Sequence, residues 1–175
     1  KLILKALMFL SEKNNLDFIF PMHPNPNVRE SIYNVFLDYM GKSVFKIDLA
    51  GTLEASVPAS ERTGRIFLIE PLDYLDLVYV LRECLFVMTD SGGLQEEAPT
   101  FLKKILILRN TTERPEGIEA GFSQLVGTSY QDIITKAQGL LCDDQKWGLG
   151  GAPLNPFGDG HAANRIIDAL VESDV

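Results

Sequence analysis

The sequence predicts an α/β fold, a doubly wound domain whose parallel sheet is covered by helices on both faces. Its predicted strands are short and continuously apolar, and they alternate with segments in which apolar residues recur at helical spacing. Continuously apolar strands are typical of a parallel sheet that is buried on both faces. The length of 175 residues fits one such domain.

The first half of the chain contains a helix, a strand, a helix and a segment without clear periodicity. Helical spacing predicts a helix over residues 1–14, and an apolar strand follows at residues 17–20 and is stopped by Pro21. Helical spacing returns over residues 27–40. Residues 42–64 contain Gly, Ser, Thr and Pro without a clear period, so we expect a loop or an insertion there.

Strands and helices alternate in closer succession through the second half. The predicted strands cover residues 66–69, 85–89, 105–108 and 124–126. The predicted helices cover residues 74–81, 92–101, 133–141 and 162–171. This order brings several strand-to-helix loops to one edge of the sheet.

Composition narrows the classes of partner. The net charge is −8, from 24 acidic and 16 basic residues, which argues against nucleic acid or an anionic membrane as the partner. No apolar run is long enough to span a membrane. Two histidines and two distant cysteines do not make a metal site, so we expect none. The cysteines are expected to be free thiols, in a cytoplasmic protein without a signal peptide.

Candidate functional residues lie in the loops that follow the predicted strands. These loops cover residues 23–27, 70–73, 90–93 and 109–116, and they combine histidine, glycine and arginine. Open α/β sheets bind their ligands outside the carboxyl ends of the strands. We therefore expect the functional site at this edge.

Ser91, Gly92 and Gly93 lie between a strand and a helix and favour a phosphate site. Two glycines let a ligand approach the backbone closely, and a helix N-terminus presents free N–H groups. The alternative is a serine cap followed by a tight turn. The segment lacks the Gly-Lys-Ser/Thr ending of a P-loop, so phosphoryl transfer of the ATP type is not indicated.

Two glutamates follow in the same helix. Glu96 is expected only to complement the helix dipole. Glu97 lies one turn beyond Gly93, where its carboxylate can accept hydrogen bonds from paired hydroxyls such as those of a ribose. The helix-dipole interpretation applies equally to Glu97, and the residues alone leave both open.

His23 and Arg114 are the candidate cationic or proton-carrying groups. His23 lies in a proline-rich loop, where it can donate to a phosphate or act as acid or base, or simply stabilise the loop. Arg114 can bind phosphate through two hydrogen bonds. Neighbouring carboxylates, Glu113 among them, can instead neutralise it in solvent.

Five ordered segments together resemble the C-terminal half of the non-hydrolysing UDP-N-acetylglucosamine 2-epimerases. They are residues 23–30 (HPNPNVRE), 70–74 (EPLDY), 89–99 (TDSGGLQEEAP), 109–116 (RNTTERPE) and 155–160 (NPFGDG). The resemblance implies a two-domain glycosyltransferase-B fold with two Rossmann-like halves and the substrate between them. Residues 1–175 would form the nucleotide-binding C-terminal domain, and the N-terminal catalytic domain would lie outside this sequence. Residues 42–64 depart from the family pattern.

The resemblance also implies a reaction without a cofactor. The family interconverts UDP-GlcNAc and UDP-ManNAc. It removes the C2 proton, expels UDP to leave a 2-acetamidoglucal, and re-adds UDP after reprotonation from the other face. An isomerase of this type would supply ManNAc units for polysaccharide biosynthesis.

Site roles are carried over from the family motifs residue by residue. Ser91, Gly92 and Gly93 would hold the diphosphate, and Glu97 the ribose hydroxyls. His23 would assist the departure of UDP. The remaining contacts would come from Arg114 and Glu113 near the sugar and phosphates, and from Leu72 near the uracil.

Other functions remain open at this stage. The same fold serves UDP-sugar glycosyltransferases, and a domain of this kind can also bind UDP-sugar without turnover. The resemblance implies a homodimer for the full-length protein, and an inactive domain when these 175 residues stand alone. The His-Pro-Asn-Pro-Asn and Thr-Thr-Glu-Arg-Pro-Glu segments favour the epimerase.

Overall fold

The computed structural model describes residues 1–40, 43–47, 64–142 and 155–173. The helices in these ranges are α1 (Leu2–Asn14), α2 (Pro26–Phe36), α3 (Tyr74–Glu83), α4 (Gly92–Glu97), α5 (Pro115–Glu119), α6 (Tyr130–Leu141) and α7 (Ala162–Ser173). The strands are β1 (Phe18–Pro21), β2 (Val44–Ile47), β3 (Ile66–Ile69), β4 (Val87–Thr89), β5 (Ile105–Ile107) and β6 (Ser123–Leu125). No helix in the described part of the chain is long and apolar enough to cross a membrane.

The strands form two parallel sheets of three strands each. Their orders are β1-β3-β2 and β4-β5-β6. Phe18 is paired with Ile66 in the first sheet, and Val87 with Ile105 in the second. Parallel neighbours need crossover connections, and α4 lies in the connection from β4 to β5 and α5 in the one from β5 to β6. The predicted parallel α/β fold is confirmed.

Helix caps fix where the strand-to-helix loops end. The Asn25 side chain accepts a hydrogen bond from the Asn27 N–H, and Pro26 occupies the first position of α2. Asp73 caps α3 and Ser129 caps α6 in the same manner. Such caps satisfy N–H groups that have no partner within the helix. They keep the loops after β1 and β3 short, so that their polar residues stay at the sheet edge.

Helices α1 and α3 cover opposite faces. Leu7 of α1 packs in one cluster with Leu68 of β3. Leu10, one turn later, packs in another with Leu106 of β5. Helix α1 therefore spans both sheets, while α3 contributes Leu81 to the cluster on the other face of the second sheet.

The structure departs from the sequence prediction in the first half of the chain. Residues 44–47, expected to be part of a loop, form β2 because they pair along the full length of β3. Residue 42 and residues 48–63 of that segment lie outside the described residues. Pro21 was expected to stop the strand after residue 20, but it is the last residue of β1. It is tolerated because alternate residues, such as Phe18 and Met22, donate the N–H bonds to β3.

Several helices differ from the prediction as well, and α2 and α4 end earlier than expected, at Phe36 and Glu97. Helix α5 was not predicted, although Pro115 at its first turn is a typical start signal. Helix α6 begins at Tyr130, three residues before the expected start, because Ser129 provides its cap.

Candidate functional site

Two loops at the carboxyl edge hold half of the predicted site residues. The Ser91 loop, residues 90–93, follows β4, and the His23 loop, residues 22–25, follows β1. The two loops belong to different sheets. The structure brings Ser91, Gly92, Gly93, Glu97, Arg114 and Glu113 together around the first loop, and places His23 and Leu72 on the other sheet.

Ser91 occupies the cap position of α4 without using its hydroxyl as a cap. The Thr89 hydroxyl accepts the Ser91 N–H at 3.0 Å, which holds the turn after β4. Within the described chain, the Ser91 Oγ makes no hydrogen bond to the start of the helix. The serine-cap alternative therefore does not account for this side chain, which belongs to an exposed residue.

Glu97 lies beside the Ser91 loop. A Cβ built on Gly93 would lie 3.9 Å from both Glu97 Oε1 and Ser91 Oγ, so the glycine lies between the two side chains. Glu97 Oε2 is buried and accepts no hydrogen bond from any residue that the structure describes. Buried carboxylate oxygens are nearly always hydrogen-bonded. Oε2 has no donor among the described residues, and Oε1 is the oxygen that lies nearest to Gly93.

Arg114 lies directly against Gly92. A Cβ at Gly92 would approach Arg114 Cζ to 2.6 Å, so only glycine leaves room for the guanidinium there. Arg114 Nε donates to Glu96 Oε1 at 2.5 Å, and Nη1 lies 3.6 Å from Glu113 Oε2. Glu96 thus pairs with Arg114, where the sequence suggested only a helix-dipole role. The exposed Glu113 is the more distant partner.

Gln95 connects the Ser91 loop to the arginine, and the sequence analysis assigned it no site role. Its side chain is buried; Nε2 donates to the Ser91 carbonyl, and Oε1 accepts from the Thr112 hydroxyl at 2.8 Å. The same hydroxyl accepts the Arg114 N–H at 3.1 Å. This chain of hydrogen bonds fixes the arginine relative to the glycines. The sequence carries no signal that separates a buried glutamine from an exposed one.

His23 is exposed and has a defined tautomer. Its Nδ1 accepts the Asn25 N–H at 3.1 Å, so the ring hydrogen is on Nε2 when the imidazole is neutral. The Nε2–H can therefore donate to a ligand at the sheet edge. The loop-stabilising role and the ligand-binding role are compatible here, because they use different nitrogens.

Arg29 and Glu70 tie the His23 loop to the loop after β3. Arg29 Nη1 and Nη2 donate to the two Glu70 oxygens at 2.8 and 2.6 Å, and Nε donates to the His23 carbonyl. The hydrogen bonds from Arg29 hold the pKa of Glu70 below its ordinary value, although burial acts in the opposite direction. Leu72, half-buried, follows two residues after Glu70. The sequence showed these charges but not their pairing.

The segment after residue 155 is fastened to α4. Asn155 Nδ2 donates to the Glu96 carbonyl at 3.0 Å and to the Thr100 hydroxyl at 2.8 Å. Asp159 then accepts two hydrogen bonds from Arg165 and one from the His161 N–H. These bonds, with that of Arg165 the largest cause, lower the pKa of Asp159 to about 2. Helix α7 begins directly after these residues, at Ala162.

The edge combines donors for an anion with an acceptor for hydroxyls. Arg114, the Ser91 hydroxyl and His23 Nε2 can donate to phosphate oxygens, and Glu97 can accept from a diol. Among the described residues, no three His, Cys, Asp or Glu side chains cluster as metal ligands. The arrangement suits a ligand that carries both a phosphate and a sugar.

Comparison with known proteins gives one consistent family. The family model described as UDP-N-acetylglucosamine 2-epimerase matches residues 1–171. A protein of that name from Campylobacter jejuni is 36% identical over 171 residues, which are 97% of this chain and 38% of the relative. The chain therefore spans about two fifths of the length of the relatives it matches.

Solved structures agree. The S. aureus MnaA–UDP co-structure has a TM-score of 0.74 and 36% identity, covering 97% of this chain and 40% of that one. A UDP-GlcNAc 2-epimerase from Neisseria meningitidis bound to UDP-GlcNAc has a TM-score of 0.72 and 32% identity, covering 98% and 40%. These likenesses extend over both sheets.

Proposed function

The chain belongs to the UDP-N-acetylglucosamine 2-epimerase family, and on that basis we propose that it is the UDP-binding half of an enzyme that interconverts UDP-GlcNAc and UDP-ManNAc. The full-length protein is an isomerase that uses no cofactor. It has the two-domain glycosyltransferase-B architecture, and residues 1–175 form its C-terminal Rossmann-like domain.

The buried oxygen of Glu97 is the observation that carries the proposal. An unpaired buried acceptor costs free energy unless a donor reaches it. Oε1 of the same carboxylate lies beside Gly93, next to the Ser91 hydroxyl, so a ribose diol bound beside the diphosphate would bring hydroxyl donors to this carboxylate. A relative solved with UDP and another solved with UDP-GlcNAc support this class of ligand.

The other residues each bind a different part of the UDP-sugar. The Ser91 hydroxyl and the backbone of Gly92 and Gly93 hold the diphosphate. Arg114 binds the negative charge where the sugar and the phosphate are joined. Glu96 and the hydrogen bonds of Gln95 hold the arginine in place, and the exposed Glu113 lies beside it. Leu72 borders the uracil.

His23 assists the reaction from the diphosphate side. When the C2 proton is removed and the C1–O bond breaks, the electron pair and the negative charge leave with UDP. The Nε2–H of His23 donates to the departing phosphate oxygens and stabilises that charge. UDP then re-adds to C1 of the 2-acetamidoglucal, while a proton returns to C2 from the opposite face.

The chain supplies this half of the site and not the whole of it. Proton transfer at C2 falls to groups in the part of the protein outside these residues, since the chain spans about two fifths of its relatives. We place the full-length protein in the cytoplasm, as a homodimer, in polysaccharide biosynthesis. Residues 1–175 alone bind UDP weakly and do not turn over UDP-GlcNAc.

The test is UDP-GlcNAc conversion by the full-length protein in D₂O, followed by proton NMR. Epimerisation replaces the C2 hydrogen with deuterium and produces UDP-ManNAc. His23→Ala is expected to slow conversion by tenfold or more, whereas His161→Ala, an exposed histidine beyond the site, leaves it unchanged. Transfer of the sugar to an acceptor without interconversion would indicate a glycosyltransferase. Binding without either reaction would indicate a non-catalytic module.

A further inference from the structure

A short segment, residues 155–157, contacts both helices that carry the charged groups around the Ser91 loop. Glu96 and Glu97 are the last two residues of α4. Arg114 occupies the cap position of α5 and directly precedes its first residue. Contacts from one segment to both helices therefore bear on the distance between the arginine and its carboxylate partner.

The first contact joins Asn155 to the end of α4. Asn155 Nδ2 donates to the Glu96 carbonyl at 3.0 Å and to the Thr100 hydroxyl at 2.8 Å. This carbonyl belongs to the peptide unit between Glu96 and Glu97. Pro99, three residues after Glu96, has no N–H to donate to it. Asn155 thus provides a donor at a helix end, where carbonyls lack partners within the helix, and holds the peptide between the two glutamates.

The second contact joins Phe157 to the first turn of α5. A Cβ built on Gly117 would lie 3.5 Å from Phe157 Cζ, which is van der Waals distance. Gly117 is buried and lies three residues after Arg114. The aromatic ring therefore packs beside the turn of helix that Arg114 begins.

The two contacts are linked rigidly through the Asn155 side chain itself. Its Oδ1 accepts the Phe157 N–H at 3.0 Å, and its backbone carbonyl accepts the Gly158 N–H at 3.0 Å. An asparagine that bonds the backbone two residues later closes a compact turn. One side chain thus holds α4 with its amide nitrogen and orients the ring beside α5 with its oxygen.

We infer that Asn155 is a positioning residue of the nucleotide site, which holds α4 and α5 at the separation at which Arg114 binds Glu96. The inference rests on the proposed function, since it bears on the reaction only if Arg114 binds the UDP-sugar. Thr112 fixes the backbone of the arginine, whereas Asn155 fixes the backbone of the carboxylate partner. Loss of the second restraint would let the guanidinium reorient, so that binding of UDP would have to order it again.

The Arg114 Nε–H resonance of the full-length protein tests the positioning without any ligand. Its hydrogen bond to Glu96 gives it a shift different from that of a solvated arginine. With ¹⁵N at the arginine Nε positions, the resonance is assigned by its absence in Arg114→Ala. We expect Asn155→Ala to move it towards the solvated position, whereas Asn164→Ala, at an exposed asparagine of α7, leaves it in place. An unchanged resonance in a folded Asn155→Ala would overturn the inference.

A second substitution separates the bond to α4 from the turn. Asn155→Asp retains the oxygen that accepts the Phe157 N–H but removes the amide group that donates to Glu96. Asn155→Ala removes both without adding a charge. We expect both variants to move the Arg114 resonance. A shift in Asn155→Ala alone would show that the turn, and not the bond to α4, positions the arginine, and would also overturn the inference.

A double-mutant cycle on UDP affinity, measured by calorimetry, distinguishes positioning from a general loss of structure. Asn155→Ala is expected to weaken UDP binding about three- to tenfold in the wild-type background. In the Arg114→Ala background it should weaken binding less than about twofold, because Asn155 acts through the arginine. Equal losses in the two backgrounds would overturn the inference. If Arg114→Ala itself binds UDP as the wild type does, the proposed role of the arginine fails, while the Nε–H resonance still decides whether Asn155 positions it.

Discussion

The Arg114 guanidinium lies against the Cα of Gly92, where a Cβ would approach Arg114 Cζ to 2.6 Å. This contact joins the loop after β5 to the start of α4. It explains why a residue without a side chain is needed at this position, independently of backbone conformation. Arg114 can occupy this position in the site because residue 92 has no Cβ.

Gly92→Ala in the full-length protein is expected to weaken UDP binding about tenfold. The added methyl displaces the end of a flexible side chain rather than backbone, so the free energy of unfolding should change by no more than about 1 kcal/mol. Calorimetry gives the affinity, and urea unfolding gives the stability. Gly139→Ala is the matched control, since no described atom lies within 4 Å of its added Cβ. Equal affinities for the two variants would refute the role of this contact.

Thr112→Val is expected to loosen the arginine by another route. It removes the hydroxyl that donates to Gln95 Oε1 and accepts the Arg114 N–H, and leaves a buried amide oxygen unpaired. We expect a loss of about 1–3 kcal/mol in the free energy of unfolding, together with weaker UDP binding. Thr111→Val, one residue earlier and exposed, should have neither effect. Unchanged affinity in Thr112→Val would show that Gln95 only stabilises the fold.

The ion pair between Asp159 and Arg165, at the start of α7, is expected to break only in strong acid. Asp159 has a folded pKa of about 2, below its ordinary value of 3.8, because Arg165 donates to it. A lowered pKa means that the pair stabilises the folded state above pH 4 and that this contribution is lost as the pH falls towards 2. The ¹³C shift of the Asp159 carboxyl should therefore titrate near pH 2. A midpoint at 3.8 or above would show that the pair does not persist in solution.

Much of the candidate site follows from strand order alone. Because parallel strands carry their following loops to one edge, the sequence could place His23, Ser91 and Glu97 there without any contact being known. Which side chains meet is decided by non-local packing. The sequence suggested Glu113 beside Arg114, yet Glu96, 18 residues away in the chain, is the closer partner.

Strand β2 shows that non-local contacts also decide parts of the fold that the local sequence does not indicate. Four residues, Val44–Ile47, carry too short a pattern to separate a strand from a loop, and their pairing with β3 supplies what local propensity lacks. The sequence likewise does not indicate the apolar cavity that residues of β1 and β4 line. It depends on how two sheets and two helices come together in space.

The most direct test of the account is the affinity of UDP for Glu97→Gln in the full-length protein, measured by calorimetry beside Glu119→Gln. Glu97 holds a buried oxygen without a donor among the described residues, whereas Glu119 is exposed. If Glu97 accepts the ribose hydroxyls, its replacement should weaken binding about ten- to a hundredfold. The fold should remain intact, and Glu119→Gln should bind as the wild type does. Wild-type affinity in a folded Glu97→Gln would contradict the assignment of this edge as the nucleotide site.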